Sequence, residues 1–375
     1  MELFLERNGI SLNAGWFIPL GFLLAFGITF ISIPTILKVA RAKGLYDRPN
    51  KRSSHKENIP TLGGVAVFIG FVITAALCAG DGLTRQLLYI FTGLIILFFI
   101  GIKDDILVID PVKKLIGQII AAVVVIVLGD VRMTSFYGFL GIHQIGYVSG
   151  VLFTLFVFVV VTNGLNLVDG IDGLASGVAA LASLVFGIWF FVAGQVYYAI
   201  VSLSLTGSLI AFLRFNLSHG KHKIFLGDTG SLILGMMLSV LAVRFMEYDM
   251  TAPEQVRVSS VAVMAFTILI IPLTDTLHVF IMRVLRGRSP FEAGRWHLHH
   301  RLLELGLSHL QATLVLLFLN ILFILLAWWL QDLGDLSLLA IILGLALLLI
   351  LSSYALIWLK RRHRHFPSGK KVFDA

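Results

Sequence analysis

Apolar runs of membrane-crossing length fill this chain almost from end to end. A helix needs about 20 mostly apolar residues to cross a hydrocarbon layer. Runs of roughly that kind lie near 16–38, 62–80, 86–102, 114–129, 147–163, 174–194, 195–213, 229–246, 258–282, 310–330 and 336–359, eleven in all. The fourth and fifth are short, and only Gly194 and Gln195 divide the sixth from the seventh. The chain is 58% hydrophobic and 13% charged, against about 25% charged in soluble domains. A soluble domain of 375 residues has too little interior for so much apolar side chain. The expected fold is an all-α polytopic integral membrane protein with about eleven transmembrane helices, residues 1–359 forming one membrane domain and 360–375 a basic cytoplasmic tail.

Charge orients the helices. With the connections assigned alternately to two sides, one side collects 24 Lys and Arg residues and the other 5. The poor side holds only Arg7, Arg85, Arg132, Arg244 and Arg257. The positive-inside rule makes the rich side cytoplasmic, which puts the N-terminus outside and the C-terminus inside. The net charge of +8 then reflects topology and does not point to nucleic acid, and no basic–aromatic module is present. The N-terminal residues include Glu2 and Glu6 and lack the basic region of a signal peptide, so the first apolar run reads as a retained helix. Cys78 is the sole cysteine, which excludes an intrachain disulfide and a Cys-based zinc cluster.

The same parity sorts the acids. Asp47, Asp104, Asp105, Asp110, Asp169, Asp172 and Asp228 all fall in or beside cytoplasmic connections, and Asp275 lies within the ninth run near its cytoplasmic end. A carboxylate at the bilayer centre costs about 2.5–3.5 kcal/mol even on the lenient insertion scale, so acids at these boundaries mark either helix caps or a site.

Four segments carry the candidate chemistry. Tyr46 to Gly64 is either a topology-setting basic loop or an anion-binding one, with Arg48, Arg52 and Lys56 placed to meet phosphates. In Gly101 to Lys114, Asp104 and Asp105 follow an apolar helix with no Lys or Arg three or four residues on. Their side chains diverge by about 100° on a helix, and two unneutralised carboxylates raise one another's pKa or recruit a metal. In Thr162 to Ala175 and Ile224 to Gly235, Asp172 and Asp228 each precede an apolar helix and can cap it. Taken with Asp104 and Asp105 they instead supply the oxygen ligands that suit Mg²⁺ bridging to phosphates. Arg283 to Arg301 holds His297, His299 and His300 among arginines. Zinc ligation there lacks Cys support and the adjacent histidines point apart, so a basic, titratable patch for phosphates fits better.

These segments, in order, carry DRPNKRSSH…PTLGG at Asp47–Gly64, GIKDD at Gly101–Asp105, NGLNLVDGIDGLA at Asn163–Ala175, IFLGDTGS at Ile224–Ser231 and RGRSPFEAGRWHLHHRLL at Arg286–Leu303. In this the chain resembles the membrane polyprenyl-phosphate N-acetylhexosamine-1-phosphate transferases of glycosyltransferase family 4. The last motif is similar to the N-acetylglucosaminyl branch rather than the muramoyl-pentapeptide branch, with one departure: Gly294 stands where that branch usually has Asp.

The resemblance implies a transferase that moves a sugar 1-phosphate, foremost GlcNAc-1-phosphate, from a UDP-sugar to undecaprenyl phosphate. UMP is released, and the lipid diphosphosugar initiates cell-envelope polysaccharide synthesis. It implies Mg²⁺ or Mn²⁺ as cofactor, Asp104 and Asp105 acting on the lipid phosphate, and Asp228, Asp172 and Asp169 at the metal. It assigns substrate binding to Asn163, Asn166, Arg52, His55, Lys114, Arg295, His297, His299 and His300. It further implies a homodimer in the bacterial inner membrane with the site facing the cytoplasm. The competing class is a secondary transporter of an anionic solute, whose polar groups would lie near the bilayer midplane.

Overall fold

The computed structural model describes residues 16–47, 58–79, 84–287 and 297–364. They form thirteen α-helices and one two-residue strand pair. α1 (Phe17–Lys43) leads to β1 (Tyr46–Asp47), which pairs antiparallel with β2 (Ile59–Pro60). Next come α2 (Gly63–Ala79), α3 (Arg85–Leu107) and α4 (Pro111–Val123), the last continuing as a π-turn over Val124–Leu128. α5 (Tyr147–Val168), α6 (Leu174–Val192), α7 (Val196–Asn216) and α8 (Gly227–Asp249) follow. The chain then forms α9 (Val261–Ile268), α10 (Ile270–Val284), α11 (Leu298–Glu304), α12 (His309–Leu330) and α13 (Asp335–Arg364).

Each of the eleven apolar runs coincides with helix. Among the described residues nine helices are long and apolar enough to cross a membrane, and α2 is a shorter apolar helix. The ninth run is not one rod: its two halves meet at 62°. Pro272 explains the bend. It has no N–H to give to the carbonyl of Ile268 four residues back, and Asn320 of α12 supplies that hydrogen bond instead (Nδ2 to O, 3.3 Å).

α8 is the axis of the fold, its apolar stretch wholly enclosed by neighbouring helices. Its small residues allow this, as expected where helices pack without a hydrophobic driving force. Gly230 lies against the backbone of Gly64 in α2, and Gly235 against Thr162 in α5. The outlying helices α1 and α13 are mostly uncovered and present Leu23, Ile31, Leu348 and Trp358 outward. Helices apolar on every side suit lipid rather than water.

The capping alternative fails at two helix starts. Asp228 does not cap α8 but lies inside its first turn, where no side chain of its own segment supplies a cap. Asp172 does not cap α6 either; the left-handed Gly173 holds the cap position.

Candidate active site

The structure gathers one end of α3, α4, α5 and α8. Asp104 and Asp105 occupy the last turn of α3 and diverge as adjacent helical residues must. Asp105 points at the start of α8. Its Oδ1 accepts the backbone N–H of Asp228 (2.7 Å), and its Oδ2 accepts the N–H (3.0 Å) and hydroxyl (2.5 Å) of Thr229. An N-terminal turn leaves such N–H groups without helical partners, so α8 is capped by a carboxylate from another helix. The close fit requires Gly227, whose φ is +74° and whose added Cβ would fall 2.2 Å from the carbonyl of Thr61.

Asp104 turns the other way. It is buried, accepts the N–H of Ile109 (2.8 Å) and pairs with Lys114 Nζ (2.9 Å). The expectation of two unneutralised acids is therefore corrected at Asp104: its cation comes from ten residues downstream, carried back by the turn at Val108–Asp110. Asp110 shapes that turn by capping α4 through the N–H groups of Val112 and Lys113.

Lys114 is the junction. Its ammonium also meets Asp228 Oδ1 (2.5 Å) and reaches Asn166 Oδ1 (3.5 Å). Asn166 donates to Asp228 Oδ1 (2.6 Å) and to the hydroxyl of Ser231 (2.8 Å). Asn163, one turn earlier on α5, stands apart from the acids and donates to Gln118 of α4 (2.9 Å).

After α5 the backbone leaves the helix at Asp169. Burial first, then the charges of Asp228, Asp105 and Asp172, holds the Asp169 carboxyl well above the usual range. No described residue donates a hydrogen bond to it. Asp172 is in the opposite condition. Burial alone would raise its pKa, but His309 and Lys223 outweigh that and lower it. Lys223 Nζ lies 2.6 Å and His309 Nδ1 3.2 Å from Asp172 Oδ2. Asp172 is thus committed to a second cluster formed with α12. Asn216, at the end of α7, ties these loops together by accepting the N–H of Gly173 (2.6 Å) and donating to the carbonyl of Ile224 (2.9 Å).

The histidines join from the far side of the fold. His297 and His299 are buried and their rings stack at 5.4 Å. His299 lies directly over Gly170, where an added Cβ would come within 2.6 Å of its Nε2. His300 packs on His299 with ring centroids 4.3 Å apart. Arg52, His55, Gly294 and Arg295 lie outside the described residues.

The donor set can be tested against the divalent cation that the sequence suggests. Asp169 is free of hydrogen-bond donors among the described residues, and both contacts to Asp228 fall on Oδ1, leaving Oδ2 open. These are hard oxygen donors of the type Mg²⁺ takes. No group of three His, Cys, Asp or Glu among the described residues is arranged to hold a metal unaided. The residues fit a cation that draws its remaining ligands from substrate phosphates and water.

Sequence reasoning passed over Asn216, Thr229 and His309, and left Asp275 unassigned. Asp275 alone gave a signal, as an acid inside an apolar run.

Comparison with known proteins agrees with this picture. The profile of glycosyl transferase family 4 matches residues 87–246, which run from α3 through most of α8. The decaprenyl-phosphate N-acetylglucosaminephosphotransferase of Mycolicibacterium smegmatis is 33% identical over 314 residues, covering 77% of this chain and 76% of that protein. Its Mycobacterium leprae counterpart is 30% identical, covering 84% of this chain and 83% of its own length. The undecaprenyl-phosphate alpha-N-acetylglucosaminyl 1-phosphate transferase of Escherichia coli K12 is 29% identical, with 74% of each chain covered. The chain belongs to glycosyl transferase family 4, among the membrane polyprenyl-phosphate N-acetylglucosamine-1-phosphate transferases.

Proposed function

We propose that this protein transfers GlcNAc-1-phosphate from UDP-GlcNAc to undecaprenyl phosphate. An oxygen of the lipid phosphate attacks the β-phosphorus, the bond from that phosphorus to the bridging oxygen breaks, and UMP leaves with the electron pair. One observation carries the reading: Lys114 draws Asp104, Asp228 and Asn166 into a polar cluster at one end of long apolar helices. A lipid tail can lie along such helices while its phosphate reaches a soluble nucleotide.

Phosphoryl transfer needs positioning and charge neutralisation more than covalent chemistry. A divalent cation, Mg²⁺ or Mn²⁺, would be held by Asp169 and Asp228 and supplies charge neutralisation at the diphosphate. The chain's own groups do the rest. A phosphate monoester is largely dianionic at neutral pH (second pKa about 6), so the attacking lipid needs orientation rather than a strong base. Asp104 fixes Lys114, whose ammonium faces the attacking phosphate. Asp105 fixes the first turn of α8 and with it Asp228. Asn166 orients Asp228 Oδ1. Asn163 ties α5 to Gln118 of α4, and Asp172 with Lys223 and His309 shapes the nucleotide side. His297, His299 and His300, with Arg295, Arg52 and His55, complete the diphosphate and sugar contacts.

The excess of Lys and Arg on one side supports a site that faces the cytoplasm, and the bacterial inner membrane belongs to the same proposal. Acids gathered at helix ends favour transferase over transporter, because a carrier's binding groups lie midway along broken helices. The homodimer belongs to the same proposal and is read from the particle mass in detergent.

The test uses purified protein, Mg²⁺ and undecaprenyl phosphate with UDP-GlcNAc, UDP-GalNAc or UDP-MurNAc-pentapeptide, measuring UMP. Release is expected with UDP-GlcNAc foremost and should stop on chelation by EDTA. No UMP from any of the three donors would sink the reading.

A further inference from the structure

We infer that Asp275 is the positioning residue of the histidine motif. It sits in α10 just past the bend, 3% exposed, and spends both carboxylate oxygens on one short stretch of the motif. Oδ2 lies 3.0 Å from His297 Nδ1 and 3.7 Å from His299 Nδ1; Oδ1 accepts the backbone N–H of Leu298 at 2.7 Å.

The chemistry of these groups fixes more than position. An ionised carboxylate only accepts hydrogen bonds, so the His297 nitrogen facing it carries the proton. That leaves His297 Nε2 as the group turned away from Asp275. Which nitrogen bears the proton follows from the bond made by the other one. The backbone bond to Leu298 acts with it. Together the two contacts set both the entry of α11 and the rotation of the first imidazole.

The consequence reaches the acid cluster. His297 stacks on His299, and His299 rests on the backbone of Gly170, next to Asp169. Asp275 thereby connects a membrane helix to the loop that carries Asp169 without touching that loop itself. It acts on the reaction through His297 and His299. The bend that Pro272 imposes between α9 and α10 gives α10 the direction that brings Asp275 to them.

This inference rests on the transferase reading for its kinetic test. Asp275→Asn keeps the shape and an oxygen for the Leu298 N–H, but removes the charged acceptor facing His297. Expected is a fall in kcat/KM for UDP-GlcNAc of about 10- to 100-fold, the usual cost of losing an orienting partner. The melting temperature should stay near that of the parent protein. In a His297→Gln background the same change should cost less than about threefold, since the two residues act as a unit. Full additivity of the two losses, or unchanged kcat/KM in Asp275→Asn, overturns the assignment.

A second measurement needs neither activity nor the Asp275 variant. In protein labelled with ¹⁵N-histidine and held in lipid, the His297 resonances are identified by their loss in His297→Gln. Nδ1 should be protonated and hydrogen-bonded. A bare Nδ1 with the proton on Nε2 refutes the inference. Absence of UMP release from the parent protein counts against the transferase reading instead, and the nitrogen spectrum still decides the placement.

Discussion

Lys114 and Asp228 stand 114 positions apart in sequence and meet at 2.5 Å, with Asp104 completing the pair on the other side of the ammonium at 2.9 Å. One cation thus holds the end of α3, the start of α4 and the start of α8 in register. Lys114→Gln keeps a hydrogen-bonding end on a side chain one atom shorter and removes the charge that two carboxylates share. The variant should lose about 2 kcal/mol of stability, less than a fully buried pair because Asp228 is partly open to water. UMP release should fall by at least about 100-fold, as when a preorganised charge contact is removed. Thermal unfolding in detergent and UMP assays check the two parts; a variant that retains parental turnover removes Lys114 from the site.

Close packing of backbone on backbone aligns Asp105 with the α8 N-terminus. A Cβ on Gly101 would fall 2.3 Å from Thr229 Cα, whereas one on Gly27 of α1 would meet nothing within 4 Å. Gly101→Ala should therefore push α3 off α8, lowering stability by about 1–3 kcal/mol and turnover with it. Gly27→Ala should be neutral or stabilising by about 0.5–1 kcal/mol through helix propensity. Equal melting temperatures for the two variants would contradict the packing account.

Asp169 and Asp172 should give pH dependences of opposite sign. The Asp169 pKa is raised above 3.8 in the folded protein by burial and neighbouring carboxylates, so the folded state binds its proton more tightly than the unfolded one. Stability then falls as pH rises from 3.8 through the raised value, and Asp169→Asn should flatten that decline and be the more stable protein at neutral pH. The Asp172 pKa is lowered below 3.8, with His309 and Lys223 outweighing burial. Its contribution is complete above 3.8 and disappears as pH falls through the lowered value. Unfolding curves recorded in EDTA from pH 3 to pH 8 (a range chosen on the order of the carboxylate and histidine values) separate the two. A parent and Asp169→Asn of equal slope would discard the Asp169 part.

Asn320→Ala removes the donor that serves the Ile268 carbonyl at the α9–α10 bend. Hydrogen bonds between membrane helices are worth about 0.6 kcal/mol on average and up to about 1.7. A loss near the upper figure is expected, since Pro272 leaves that carbonyl no helical donor. Scanning calorimetry of the variant measures it, and a loss indistinguishable from zero would mean the bend needs no such support.

Much of the arrangement is legible in the sequence. The apolar runs located the long apolar helices because a bilayer-length helix leaves a composition signal that context barely alters, whereas α11 is too short and polar to leave one. The motifs marked Asp104, Asp105, Asn166, Asp169 and Asp228, and these five do come together. The capping alternative for Asp228 and Asp172 does not hold at their helix starts, because capping rules see only the local chain. Asp105 caps α8 across a gap of more than a hundred residues, and no local rule describes that. The bend at Leu269 escaped because Pro272 shifts the chain's direction while leaving its hydropathy almost unchanged.

Sequence alone determined that this chain is a bundle of apolar helices and which short polar stretches interrupt it. Those are properties of composition along one dimension, set by the cost of putting charge and unpaired backbone into lipid. Tertiary structure decided the partners: that Lys114 neutralises Asp104 and Asp228, that Asp172 belongs with Lys223 and His309, that Asp169 remains free of donors among the described residues, and that Asp275 governs the histidines. A carboxylate's role depends on which donors lie within about 3 Å of its oxygens, and only the packing of α3, α4, α5, α8 and α10 sets those distances.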